Sequence, residues 1–226
     1  MSRRMERMIT CPKCGKEHEF VIWDSINTML DPEMKEAVRN LSAFQFECPD
    51  CGNTASVDYG FLYHQMEDKI MVYYVQSDED EHEMYKMFNA TDDYDGMVAD
   101  MRNNNYLIRI VRSRSQLLEK IAIFDNGLDD RVIEILKLVF LAHYQEQTDG
   151  NDPVELFWVV ADDGNYRIEF IKDGKLHATV DVPEELYTNT LGNMENKIPD
   201  IRKDDIIIDR QWALEFLEND AKNSPE

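Results

Sequence analysis

Two copies of one short cysteine motif constrain the fold of this chain more than any other feature. They are Cys-Pro-Lys-Cys-Gly at residues 11–15 and Cys-Pro-Asp-Cys-Gly at residues 48–52, and together they contain all four cysteines. In each, a three-residue step puts both sulfurs on one side of a tight turn, proline presets the bend, and glycine accepts a positive φ. Backbone amides are then free to hydrogen-bond the thiolates. The spacing C-x2-C-x33-C-x2-C predicts a zinc ribbon with a helical insertion between its two knuckles.

The four sulfurs match tetrahedral zinc in number and in softness. We predict one structural zinc ion per chain, bound by Cys11, Cys14, Cys48 and Cys51. A site closed by four thiolates leaves no open position for a catalytic water. Disulfides and a redox-active cysteine pair are the alternatives, and the N-terminal residues show no signal-peptide apolar region that would favour disulfides. His18 is a spare ligand candidate that four cysteines make redundant.

The charge of the chain argues against two classes of partner. Lysine and arginine together number 24 against 46 aspartates and glutamates, which gives a net charge of −22. Nucleic acids and anionic membrane surfaces both attract a basic protein face. No stretch of the chain approaches the ~18 uninterrupted apolar residues of a membrane span. We therefore expect a cytoplasmic protein that binds neither nucleic acid nor membrane.

Apolar periodicity and turn residues predict an α+β protein with three regions. The regions are a zinc-ribbon domain, an acidic linker or lobe, and an α+β domain, at residues 1–76, 77–105 and 106–226. Within the last, central helices are expected over residues 113–146 and an antiparallel sheet region over residues 154–219. The predicted order is thus an N-terminal zinc ribbon with a helical insertion, a central helical segment and a C-terminal antiparallel sheet region.

The acidic segment and the C-terminal region of this architecture each carry a specific sequence signal. The acidic segment has too little apolar surface to offset the entropy of ordering it, which predicts a mobile linker. The alternative is a solvated acidic helix around Met84, Met87 and Phe88. In the C-terminal region, two Asp-Gly turns predict a run of three antiparallel strands, and residues 205–209 are expected to form a further strand.

The cysteine knuckles are accompanied by Leu62-Tyr63-His64 and by the block RIVRSRSQLLEKIAIFDNGLDDRVIEILK at residues 109–137. In these features the chain resembles the CpXC family, a bacterial family with paired Cys-Pro-x-Cys motifs. The resemblance covers roughly residues 8–140 and implies a bacterial cytoplasmic protein with a structural zinc ribbon, in a family with no assigned activity. Members often carry an acidic residue after the Tyr-His pair, where this chain has Gln65.

Outside the cysteines, the candidate functional centre comprises Asp125, Asp129, Asp130, Glu134 and His64. The carboxylates cluster around a predicted bend between two helices, where they could perform acid/base chemistry with a base such as Lys120. The structural alternatives are helix capping by Asp129 or Asp130 and ion pairs with nearby arginines. The sequence contains no Gly-rich phosphate loop, no nucleophile elbow and no His-Glu-x-x-His motif.

These observations favour a non-catalytic protein-interaction or adaptor module with a protein partner. The first alternative is an enzyme of unknown class that uses the region from Asp125 to Glu134. The second is nucleic-acid binding through the ribbon, which the net charge opposes. Because catalytic motifs are missing, the sequence leans away from an enzyme, and it predicts no particular oligomeric state.

Overall fold

The computed structural model describes residues 2–89, 101, 103–148, 153–161, 163–203 and 205–223. The chain divides into two compact units, Met1–Arg114 and Ser115–Glu226. The mixture of helices and strands in the described residues confirms the predicted α+β class. No helix in this part of the chain is long and apolar enough to cross a membrane.

The first unit is built on a mixed sheet. The elements of its described residues are β1 (Arg3–Thr10), β2 (Glu17–Asn27), α1 (Glu33–Arg39), β3 (Gln45–Glu47), β4 (Thr54–Ser56), β5 (Phe61–Gln65), β6 (Ile70–Tyr74), α2 (Asp78–Asn89) and β7 (Leu107–Val111). Five strands follow the order β1-β2-β5-β6-β7, and β3 pairs with β4 in a separate two-stranded sheet. The β2/β5 and β6/β7 pairs are parallel, whereas the other pairs are antiparallel.

Strand β1 is the main element that the sequence analysis did not foresee. Its sequence, Arg-Arg-Met-Glu-Arg-Met-Ile-Thr, lacks a clean alternation of apolar and polar residues. It nevertheless pairs with β2 from Arg3 opposite Ser25 to Thr10 opposite Glu17. Pairing with a neighbouring strand therefore overrides a weak local preference.

Strands β5, β6 and β7 consist mostly of buried residues. All five residues of β7 are buried, including Arg109, whose guanidinium donates to the Ile108 carbonyl at 2.8 Å. The turn between β5 and β6 has Lys69 at φ +57°. Because β7 pairs with β6, this strand belongs to the first unit, whereas the sequence analysis grouped it with residues 106–226.

The acidic segment is helical where it is described. Helix α2 confirms the helical alternative for these residues, and Ser77 caps it by accepting the Asp80 N–H at 3.1 Å. Phe88 is fully buried and its ring centre lies 5.3 Å from that of Tyr73. This contact packs α2 against β6, and the mobility of the segment stays a prediction. Residues 90–100 and 102 lie outside the described residues.

The second unit packs helices on a three-stranded antiparallel sheet. Its described elements are α3 (Arg114–Asp125, from the last residue of the first unit), α4 (Asp130–Gln147), β8 (Glu155–Val160), β9 (Tyr166–Lys172), β10 (Lys175–Val182), α5 (Glu184–Met194) and α6 (Arg210–Asn223). The sheet order β10-β9-β8 confirms the predicted run of strands. Its core joins Trp158 and Ile168 of the sheet to Val132, Ile133 and Leu136 of α4.

The strand predicted for residues 205–209 is wrong. No strand occurs there, because the polar groups of the segment have other partners. The Asp205 carboxylate accepts the Ile206 N–H at 2.7 Å, and the Ile208 carbonyl accepts from the Lys120 ammonium at 2.8 Å. Asp209 caps α6 by accepting the Trp212 N–H at 3.0 Å. The two buried isoleucines of this segment therefore pack from an irregular backbone.

Candidate metal centre

The four cysteine sulfurs meet at one point of the first unit. The Sγ atoms of Cys11 and Cys51 lie 3.7 Å apart, as do those of Cys14 and Cys48. All four sulfurs lie within 4.8 Å of one another. A tetrahedral ion with metal–sulfur bonds of about 2.3 Å separates its sulfurs by about 3.8 Å. The donor set therefore fits a four-coordinate metal ion, as the ribbon spacing predicts.

Two equivalent knuckles build this site. In the first, between β1 and β2, the Cys11 N–H donates to the Lys16 carbonyl at 2.8 Å, and the Gly15 N–H donates to the Cys11 carbonyl at 2.9 Å. In the second, between β3 and β4, Cys48 and Gly52 repeat this pattern, with Asn53 in place of the lysine. Both glycines have positive φ, +73° and +64°, so each knuckle requires the residue that its motif contains.

The thiols of the cluster cannot all ionise without a cation. A hydrogen bond from the Cys14 backbone lowers the pKa of Cys11 to about 6. For Cys51, a hydrogen bond from the Asn53 backbone opposes the change, but burial and the neighbouring cysteines raise the pKa to about 12. One thiolate therefore forms readily, and it disfavours the charge of the next. A divalent cation removes this repulsion, which couples metal binding to thiol deprotonation.

Three polar side chains lie next to the sulfur cluster. His18 Nε2 lies 3.5 Å from Cys48 Sγ and 3.0 Å from an Asp50 carboxylate oxygen. Lys16 Nζ contacts the other oxygen of Asp50 at 2.6 Å and lowers the pKa of that carboxyl. His18 thus touches a candidate ligand and lies outside the four-sulfur set, in a position to orient it.

The other predicted histidine, His64, is part of the first unit. It lies on β5, and its Nε2 atom is 3.3 Å from the hydroxyl of Tyr106. Burial lowers the pKa of His64, so its imidazole is neutral near pH 7. No other member of the candidate functional centre belongs to this unit.

Two of the candidate carboxylates are explained by the start of α4. Asp129 caps this helix by accepting the Arg131 N–H at 2.9 Å, and it also contacts the Arg131 guanidinium at 2.7 Å. Asp130 is completely buried and accepts from Lys120 at 2.7 Å. Asp125 ends α3 and is half-buried.

Asp130 and Lys120 belong to a buried ion network, which also contains Glu119, Glu134 and Lys137. Lys137 Nζ lies 3.1 Å from Glu119 and 3.0 Å from Glu134, and Lys120 lies 3.7 Å from Glu134. Burial raises the pKa of Glu119. For Lys137, burial alone would lower the pKa, but the two glutamates raise it. The structure thus brings Asp130 and Glu134 together through lysines.

Sequence reasoning offered capping and ion pairs with arginines as the structural alternatives for these carboxylates. It missed Lys137 and the ion pairs that Lys137 forms with Glu119 and Glu134. The segment Ile-Glu-Ile-Leu-Lys-Leu carried a signal, because charged residues embedded in an apolar helix must find partners when that helix is buried. The partner that fixes Glu119 could not be inferred, since it is the Trp158 backbone N–H at 2.6 Å, on a strand distant in sequence.

The fold and the site together define an α+β protein with a ribbon-type cluster of four cysteines that could hold a metal ion. A family model described as CpXC protein matches residues 9–137, more than half of the chain. The chain therefore belongs to the CpXC family, which confirms the resemblance inferred from the knuckles and residues 109–137. Neither the curated proteins nor the solved structures include a significant match.

Proposed function

We propose that this CpXC protein is a non-catalytic protein-interaction module of adaptor type, whose fold depends on one structural zinc ion. Zinc is the metal that four thiolates at tetrahedral spacing favour. The closure of that donor set supports a structural role, because a catalytic zinc keeps one position open for water. The sulfur separations of 3.7 Å support the structural zinc ion in this proposal.

The positions of the carboxylates also support a non-catalytic module rather than an enzyme. Asp129 is used in capping α4, whereas Asp130 is paired with the buried Lys120 and Glu134 with the partly buried Lys137. A general acid or base must reach a substrate, and groups that are at most 3% exposed do not do so in this conformation. We therefore assign the buried ion network to stability.

The interaction role is tested by purifying the protein, in its zinc-bound form, from the cells that produce it. We expect one or a few proteins to co-elute in fixed ratio, and we place this complex in the cytoplasm, where thiols stay reduced. A Cys48→Ser variant is the matched control, because loss of the ribbon should remove partners that dock on it. Co-elution of the same proteins with both forms, or of none with either, would contradict the proposal.

A second expectation concerns nucleic acids. Near physiological salt, the protein should not shift duplex DNA or RNA in a mobility-shift assay, even at micromolar concentration. The reason is the net charge of −22, which opposes the phosphate contacts that dominate such binding. A basic DNA-binding protein in the same gel serves as the positive control. A salt-sensitive complex at lower concentration would favour nucleic-acid binding through the ribbon.

A further inference from the structure

A groove of about 630 Å³ lies next to the cysteine cluster in the first unit. One wall consists of residues 18–21 and 23 of β2, and the other consists of residues 45–47 of β3. Met34 and Ala37 of α1 also line it. Its volume is in the range of about 300–1,000 Å³ that ligand sites have.

The backbone edges of both strands face this groove. Successive side chains of a strand point to opposite faces, so an unbroken run of lining residues indicates that the edge itself forms the wall. The Cys11 N–H donates to the Lys16 carbonyl, so Cys11 and Lys16 are a hydrogen-bonded pair of the β1/β2 hairpin. Hydrogen-bonded pairs alternate along an antiparallel ladder, so the even-numbered residues of β2 bond to β1. The N–H and C=O groups of Glu19 and Val21 therefore point away from β1.

The hydrogen bonds between β3 and β4 fix the orientation of the β3 peptide groups in the same way. Cys48 donates to Asn53 and Val57 donates to Phe44, so the peptide groups that face β4 are those of residues 44, 46 and 48. Both the N–H and the C=O of Glu47 therefore point away from β4, towards the groove that Glu47 lines. The Gln45 carbonyl does so too, while its N–H is bonded to the Ser42 carbonyl.

Neither edge has a neighbouring strand in the described part of the chain. Strand β2 pairs with β5 only over Ser25–Asn27, and β3 pairs only with β4. Two free strand edges thus border one groove. Such edges bind extended peptides by main-chain hydrogen bonds, with side-chain pockets adding specificity.

The groove has an apolar floor and an acidic rim. The ring of Phe46 lies 6.2 Å from that of Phe20 and 6.0 Å from that of His18, measured between ring centres. On the opposite face of the two strands, Glu19 and Glu47 are exposed. A strand inserted here would place alternate side chains on the floor and the others beside the two carboxylates.

We propose that this groove binds an extended segment of a partner protein as an added strand, with apolar and basic residues in alternation. The proposal rests on the interaction role proposed above and specifies its docking site. A second copy of the chain is a poorer occupant, because its own groove has the same acidic rim and the two chains would repel each other.

The test uses the zinc-bound full chain, isotopically labelled for NMR, and a short synthetic peptide of alternating valine and lysine. We expect amide shifts at residues 18–23 and 45–47, and slowed hydrogen exchange of the Val21 and Glu47 N–H groups. The same peptide with alternate amides methylated should bind about tenfold more weakly, because it loses main-chain hydrogen bonds. A peptide with glutamate in place of lysine should also bind more weakly.

Two variants identify the site. Ala37→Trp fills the groove from α1 and should remove the shifts, whereas Glu36→Trp, on the same helix but outside the lining, should leave them unchanged. Shifts elsewhere, or equal binding of the methylated peptide, would overturn the proposal. So would concentration-dependent dimerisation that protects the same amides without peptide, since the occupant would then be a second copy.

The purification experiment separates this proposal from the function on which it rests. If native partners co-elute with the parent and equally with Ala37→Trp, the groove is wrong as the docking site and the interaction role stands. If no partner co-elutes with the parent, the interaction role itself fails.

Discussion

Replacing Cys48 by serine is expected to remove the bound zinc and to unfold the ribbon. Cys48 is 1% exposed, and its sulfur lies 3.7 Å from that of Cys14. A three-thiolate site binds zinc less well, and in small ribbons metal binding supplies folding free energy on the order of 10 kcal/mol. Elemental analysis should fall from about one zinc per chain to near zero, and the amide signals of β3 and β4 should lose their dispersion.

The control for this change is His18→Gln. Its imidazole lies 3.5 Å from Cys48 Sγ and outside the four-sulfur set. If His18 only orients the thiolate, the variant should keep its zinc and its folded ribbon, with faster release of the metal to a chromogenic chelator. Zinc retained in Cys48→Ser but lost in His18→Gln would show that the ligand set is wrong.

The four-cysteine cluster could be predicted because its geometry is local. Each knuckle forms within five consecutive residues, which include a proline and a glycine as well as the cysteines. Because the two motifs match, the sequence indicates that they belong to one site. The strands β8 to β10 were predictable for a similar reason, since the turn around Asp173 and Gly174 uses the positive φ angles that its sequence permits.

The groove could not be predicted, because it depends on which strands fail to pair. Nothing in the sequence of β2 indicates that β5 covers only its last three residues, or that β3 lies beside the part left open. Strand β1 was not predicted either, because it also depends on pairing between strands. Its position is set by β2, and its own residues give only a weak preference.

The pairing within the buried ion network could not be predicted from the sequence either. The periodicity of α4 identifies a buried helix, but it does not say which charges meet across α3 and α4. Asp130 and Lys120 are ten residues apart in sequence, and the carbonyl that completes the lysine's bonds is that of Ile208. Long-range packing therefore decided that these groups are buried and paired.

Replacing Lys120 by methionine is expected to destabilise the protein by about 3–5 kcal/mol. The ammonium is 3% exposed, donates to Asp130 at 2.7 Å, and lies 3.7 Å from Glu134. Its removal takes the nearest cation away from the fully buried Asp130 carboxylate, and the cost of that exceeds the net value of the pair. The free energy of unfolding, from urea denaturation at unchanged slope, measures the effect.

Two controls make this result specific to the buried ion network. Lys197→Met breaks an exposed ion pair with Asp220 at 2.6 Å, and it should cost no more than about 1 kcal/mol. In the double variant Lys120→Met with Asp130→Leu, much of the lost stability should return, because no carboxylate is then left facing the missing ammonium at 2.7 Å. If Lys120→Met instead unfolds at the parent's urea concentration and loses the co-eluting partners, the network serves binding, and the candidate functional centre around Asp130 and Glu134 takes precedence over our structural assignment.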